Sequence, residues 1–200
     1  VTRMAGAPQA AAWQPEVEVH WLDGQAPPLP CGVSWGVPWP RGTVPADAGF
    51  ELLVAGGLPL PLQSWPLAWW PDGSLKWSGM ATVWPAARGQ LLRLRVGQGA
   101  GPVPAGGLVV ARDASALTVD TGPLRCTVPL QGSRLIGALS IGGSEVARAV
   151  ELVCVRQEGH DGDAGERPAR TWQCSQIGTA VVEQAGPVRA VVKVEGMHHS

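Results

Sequence analysis

Leu62–Trp84 (LQSWPLAWWPDGSLKWSGMATVW) constrains the fold more than any other stretch of the chain. Two runs rich in tryptophan and aliphatic residues flank Pro71-Asp72-Gly73-Ser74. Proline presets φ for a turn, aspartate bonds its own following backbone, and glycine tolerates positive φ. The segment is therefore predicted to be a tight β-hairpin. Trp65, Trp69, Trp70, Trp77 and Trp84 are five of the ten tryptophans, and the chain has one phenylalanine and no tyrosine. Tryptophan thus supplies almost all the aromatic bulk. Such a hairpin is either the core of a small β-barrel or a stacking surface for sugars, and that choice bears directly on function.

The rest of the chain follows the same pattern of short apolar runs and turns. Residues 1–12 read as a flexible leader. Glu16–Leu22 and Leu91–Val96 alternate with period two, as half-buried strands do. Val33–Val44 is extended and broken by prolines, which fits edge strands and barrel connections. Phe50–Val54 is short and apolar, and Gly56-Gly57 turns the chain. No stretch before residue 97 holds a 3.6-residue period with caps. Residues 13–97 are predicted to be an all-β barrel of about six strands. Residues 98–107, rich in glycine and proline and uncharged, read as a connector.

Beyond it tryptophan nearly vanishes, leaving Trp172. Leu117–Asp120, Leu124–Pro129, Leu135–Ile141, Val146–Gln157, Thr171–Gln184 and Val188–Glu195 are strand candidates with turn signals between them. That spacing predicts an antiparallel β-sandwich over residues 108–200. The last candidate strand runs to the end of the chain, so the sandwich is expected to be incomplete. The valine start and the ending His198-His199-Ser200 suggest a fragment, or a start codon read as valine.

Composition excludes several classes. Charged residues make up 16% of the chain and the formal net charge is −1. That balance gives no handle for nucleic acid or an anionic membrane. No apolar run reaches the ~20 residues of a membrane helix. The N-terminus lacks the apolar stretch of an intact signal peptide, which leaves secreted, periplasmic and cytoplasmic locations open. Cys31, Cys126, Cys154 and Cys174 have no metal-ligand spacing. No phosphate loop or nucleophile motif is present. No cofactor is expected.

Val33-Ser-Trp-Gly-Val-Pro-Trp-Pro-Arg-Gly42, Leu62-Gln-Ser-Trp65, Trp70-Pro-Asp-Gly-Ser-Leu-Lys-Trp77 and Glu183-Gln-Ala-Gly-Pro-Val-Arg-Ala190 stand in an order that resembles one family. It is that of the exo-acting rhamnogalacturonan lyases of polysaccharide lyase family 26 and their YetA-like bacterial relatives. The resemblance implies a RIFT-type β-barrel, a central β-sandwich and a C-terminal α/α toroid. It covers about residues 15–200, hence the first two modules and not the helical one. It implies pectin (rhamnogalacturonan) as the parent's substrate and β-elimination as its reaction. This chain would then be the non-catalytic part that supports the helical module. The alternative is a stand-alone carbohydrate-binding or structural β module.

Within that frame the candidate residues are few. Trp65 and Trp77 are read as barrel core. Trp69 and Trp70 point to opposite faces if alternation holds, so at least one belongs to the core. Arg41, between Pro40 and Gly42, could clamp a galacturonate carboxylate; a solvated or inter-domain arginine is the competing reading. Asp72 is read as a turn residue and Lys76 as an exposed strand residue. Trp39, Arg41 and Trp70 are the candidate carbohydrate or domain-interface contacts, and no catalytic residue or metal ligand is assigned. Asp161, Asp163 and Glu166 miss the spacing of a calcium loop. Finally, folding Val146–Gln157 onto Thr171–Gln184 about the middle of their loop sets Cys154 opposite Cys174, close enough to bridge.

Overall fold

The computed structural model describes residues 16–54, 56–85, 91–97, 102–103, 106–159 and 169–199. All its regular structure is strand, fifteen strands among the described residues. The chain divides into two compact units, Val1–Pro102 and Val103–Ser200.

Unit 1 holds seven strands. They are β1 (Glu16–Val19), β2 (Cys31–Pro38), β3 (Gly49–Val54), β4 (Pro59–Leu60), β5 (Gln63–Trp69), β6 (Leu75–Trp84) and β7 (Leu92–Gly97). Two antiparallel sheets result, ordered β1-β7-β3-β4 and β2-β6-β5. Between them lies one apolar core that includes Trp39, Phe50, Leu52, Met80, Trp84 and Leu94. The prolines sit where they remove least: Pro38 closes β2, and Pro66 lies at a bulge in β5, both on edge strands.

The hairpin forms as the sequence predicts. Trp70 N–H bonds Ser74 C=O at 2.8 Å and Gly73 N–H bonds Trp70 C=O at 2.9 Å. Gly73 has φ of +83°, the left-handed residue that ends a three-residue hairpin loop. Along β6 the alternation is strict between Ser78 and Trp84. Ser78, Met80, Thr82 and Trp84 face the core, each fully buried. Trp77, Gly79, Ala81 and Val83 therefore face the other way.

Unit 2 holds β8 (Val109–Arg112), β9 (Ala116–Asp120), β10 (Leu124–Pro129), β11 (Arg134–Ile141), β12 (Ser144–Glu151), β13 (Val153–Gln157), β14 (Arg170–Ala185) and β15 (Ala190–His199). Its sheets run β12-β11-β10-β9-β8 and β13-β14-β15. The single strand expected at Val146–Gln157 is two strands in two sheets. The break falls at Leu152, whose carbonyl accepts both the N–H and the hydroxyl of Ser175, at 3.1 and 2.9 Å. That pair of bonds pins the corner where the chain changes sheet.

The cysteine register differs from the expectation. Cys154 pairs with Gln173, and Cys174 pairs with Val153. The hairpin is one residue out of the expected register, so the two thiols lie on opposite faces. All four cysteines are free. The acidic loop with Asp161, Asp163 and Glu166 and the leader at residues 1–12 lie outside the described residues.

Candidate functional site

The outer face of the β2-β6-β5 sheet carries the exposed aromatic surface of unit 1. Its floor is a pair of glycines, Gly36 on β2 and Gly79 on β6, directly opposed in the ladder. Trp65 on β5 is Gly79's partner on the other side. A Cβ on Gly79 would stand 2.2 Å from Trp65 Cε2, so the indole lies flat across the glycine backbone. Trp77 leans over the other glycine: a Cβ at Gly36 would meet its Cε3 at 3.5 Å. Glycine inside a strand marks close approach of this kind. Trp77 keeps 40% of its surface exposed, and Leu67 and Trp69 keep 53% each.

Trp77 is thus corrected from core to surface. The core side of β6 is filled by Met80, Thr82 and Trp84, and a residue an odd number of positions from each of them cannot share it with them in a regular strand: Trp77 stands three, five and seven before them. Trp65 is half-buried on that outer face rather than in the core. Neither Trp69, exposed, nor Trp70, half-buried, joins the core cluster. The bulges around Ala68 break the alternation on which that expectation rested.

Trp39, Arg41 and Trp70 come together at the hairpin turn. Trp39 is 3% exposed. Its ring stacks on Phe50 at 5.6 Å, and its indole N–H donates to the buried Ser78 hydroxyl at 2.7 Å. No face is left for a sugar, so Trp39 is a core residue and not a ligand contact. Its carbonyl accepts the Trp70 indole N–H at 3.0 Å. Lys76 Nζ sits over the Trp70 ring, 4.7 Å from its centroid, a cation–π contact.

Arg41 reaches across the turn to Asp72, Nε to Oδ2 at 3.0 Å, with its side chain 62% exposed. The other Asp72 oxygen accepts the Ser74 hydroxyl at 2.6 Å and the Ser74 N–H at 3.0 Å. The Ser74 hydroxyl first, its N–H next and Arg41 after them pull the Asp72 carboxyl down to about 2. Asp72 is therefore a charged turn residue that also orients Arg41. The Arg41 guanidinium and the Lys76 ammonium put positive charge beside two indoles. That chemistry suits a sugar carrying a carboxylate.

The turn cluster was legible in the sequence; the outward position of Trp77 and the burial of Trp39 were not. The usable signal was parity together with the in-strand glycines: Trp77 and Gly79 share a face of β6, where Trp65 covers Gly79 and Trp77 leans over Gly36. Among the described residues no group of three or more His, Cys, Asp or Glu could hold a metal.

Comparison with known proteins gives the same two-part division. Residues 15–97 match the family model described as the PcRGLX-like N-terminal RIFT barrel domain. Residues 108–200 match the PcRGLX-like protein central beta sandwich domain. A Bacillus subtilis (strain 168) protein described as uncharacterized protein YetA is 35% identical over 181 residues, covering 90% of this chain. The chain spans 21% of that curated relative's length.

Proposed function

The chain belongs to the PcRGLX-like family, and from that membership we propose that its two β units are non-catalytic modules of a rhamnogalacturonan-lyase-related protein. The observation that supports this most is order: the barrel match precedes the sandwich match, and together they take in nearly all of residues 15–200. The parent's reaction is β-elimination on the pectin backbone. A base removes the C5 proton of galacturonate, the C4–C5 double bond forms, and the C4–O4 bond breaks with the electron pair leaving on O4. The two units support an α/α toroid that does this chemistry, and the turn cluster of Arg41 and Trp70 lines one rim of its cleft.

Three carboxyls are tied into the local structure of the two units. Glu16, Asp72 and Asp113 are all held below the ordinary carboxylate range, by Arg95, Ser74 and Ser115 respectively as the leading cause. Purified residues 1–200 are expected to leave rhamnogalacturonan uncleaved, followed by ultraviolet absorbance of the unsaturated product. Turnover above the buffer background overturns the reading.

A second reading is a stand-alone saccharide-binding module. The outward indoles of Trp77 and Trp69 favour it, since an indole face stacks on the apolar face of a pyranose. The coding sequence downstream of Ser200 separates the two: several hundred residues of helical periodicity fit the lyase-related protein, and an in-frame stop fits the module.

A further inference from the structure

The smaller sheet of unit 2 has a face that nothing among the described residues covers. The ladder is regular along β14 from Arg170 to Ile177, so residues two apart share a face there. Ser175 and Ile177 turn inward and are buried. Trp172 and Cys174 therefore turn outward, and their ladder partners turn with them. Val155 stands opposite Trp172, and Val153 opposite Cys174. On the other flank His199 pairs with Cys174, and Met197 pairs with Gln176. Val153, Val155, Trp172, Cys174 and Met197 thus make one continuous apolar patch across three strands. The two valines keep 42% and 43% of their surface exposed, and Trp172 and Met197 keep more.

Apolar side chains exposed singly are ordinary, whereas a contiguous set marks a surface that meets something. The chemistry of the patch narrows what that is. A saccharide needs hydrogen-bond partners beside the ring it stacks on. Here Trp172 has Cys174 beside it and Val155 across from it. The next pair along the ladder is already engaged: Gln157 accepts the Arg170 Nε–H at 2.9 Å and donates to the Gly159 carbonyl at 3.2 Å. Nucleic acid and anionic lipid need clustered positive charge, and Arg170 is the one lysine or arginine among these residues. An apolar centre with Gln, Arg and His at its rim is what one protein surface presents to another.

The partner is then a second copy or more of the same polypeptide. A stable dimer uses roughly 20–30 residues a side. The apolar patch with Gln157, Arg170, Gln176 and His199 around it falls well short of that. A covalently joined segment needs less area, because its effective concentration is high. The Bacillus subtilis relative has the length for such a segment: the 181 aligned residues are 21% of it, so most of that protein lies outside the aligned stretch. β15 borders the patch, so chain continuing beyond β15 would leave from the patch's own edge.

We propose that this outer face of β13-β14-β15, centred on Trp172, is an intramolecular docking surface, covered by an apolar face of the same polypeptide outside residues 1–200. It rests on the reading that the two units are modules of a longer protein, and not on the lyase chemistry.

Cys174 stands inside the patch and is exposed, so its thiol reports directly. The test compares the 200-residue chain with the full-length protein of the same gene, each treated with a maleimide and mapped by mass spectrometry. Cys174 is expected to react about tenfold or more slowly in the full-length protein, as a buried thiol does. Trp172→Ser is expected to leave the melting temperature of the 200-residue chain unchanged, because that indole is in water. In the full-length protein it lowers the melting temperature and restores Cys174 reactivity. Equal Cys174 rates in the two native proteins overturn the proposal, as does an equal loss of melting temperature in both Trp172→Ser variants. Dimerisation of the 200-residue chain that Trp172→Ser abolishes overturns it in favour of a second copy. A saturable shift of the Trp172 indole resonance with a rhamnogalacturonan tetrasaccharide overturns it in favour of a sugar. An in-frame stop after Ser200 overturns the proposal and the longer-protein reading together, whereas a full-length protein with a reactive Cys174 overturns the docking surface alone. Cleavage by residues 1–200 overturns the non-catalytic reading and leaves the docking surface untouched.

Discussion

In unit 1 the strands enclose a cluster of twelve buried apolar residues, Trp39 and Trp84 among them; in unit 2 the matching cluster is Leu117, Val128 and Ala180, counting described residues in both. Both units are antiparallel throughout, and unit 2 even has the longest strand, the sixteen-residue β14. What differs is closure. Two sheets folded round one interior bury their inner faces whatever else is present. A sandwich sheet buries a face only where another layer covers it. Unit 2 accordingly keeps Trp172 at 67% and Met197 at 69% exposure. Its β15 pairs with β14 on one side among the described residues, which leaves a row of backbone donors and acceptors along the other. The contrast teaches that the larger core belongs to the unit whose two sheets face one interior, and the smaller core to the unit whose sheets share less of it.

The largest effects should follow from the two cores. Trp84→Ala removes a fully buried indole that meets Trp21 edge-on and bonds the Pro27 carbonyl. A loss of ~3–5 kcal/mol is expected in unit 1. Leu117→Ala, at the centre of the smaller cluster, should cost ~2–3 kcal/mol, because a sparse core collapses more readily onto the gap. Native-state hydrogen exchange, read separately for each unit, makes the comparison. A larger loss for Leu117→Ala would break it.

Two glycines sharpen the contrast at the next level. In Gly79→Ala the new methyl meets the Trp65 ring at 2.2 Å, and in Gly196→Ala it meets the Gln176 backbone oxygen at 2.2 Å. Each should cost ~1–3 kcal/mol. Gly196→Ala should sit at the upper end, since relief requires β14 and β15 to part, whereas an indole on an open face can swing out. Tryptophan emission should shift to the red in Gly79→Ala. An unmoved Trp65 indole resonance in that variant would show that the ring does not lie where described.

Acid should produce a smaller effect of the same sign in both units. Asp72 and Asp113 each accept the N–H and hydroxyl of the serine two residues on. Asp72 is lowered from 3.8 to about 2. Asp113 is lowered by the Ser115 N–H first, then the Ser115 hydroxyl and the Ala116 N–H. A depressed folded-state carboxyl stabilises fully above the unfolded value and loses that stabilisation as pH falls through the folded one. For Asp72 the window runs from 3.8 down to about 2. Carboxyl titration by NMR should show Ser74→Ala raising the Asp72 midpoint more than Arg41→Ala does. The reverse order would make the ion pair, and not the turn, its main support.

The smallest expected effect is chemical. Oxidised chain should contain no bond between Cys154 and Cys174, since they pair with Gln173 and Val153. Peptide mapping by mass spectrometry decides it, and Cys174, the exposed thiol, should react with maleimide before half-buried Cys154.

The sequence by itself determined the all-β class, the change of texture near residue 100 and the Pro71–Ser74 hairpin turn. All three rest on short-range rules: the two-residue period of strands, and backbone angles that proline and glycine dictate where they stand. The family-like motifs were legible for the same reason, as contiguous words. Tertiary structure decided which face of each strand is inside. Trp77 and Trp84 are equally bulky, yet β6 can turn only one parity inward, and packing against Phe50, Leu52 and Leu94 from the other sheet selects that of Trp84. Trp39 is buried because Ser78, thirty-nine residues away, meets its N–H. The Cys154–Cys174 register depended on a single-residue offset across a long loop, which its length does not fix. The seam between β1 and β2 has no sequence signature, since it is a pairing that does not form among the described residues. Period and turn are local and can be read along the chain; parity, register and closure are settled by contacts between residues that only folding brings together.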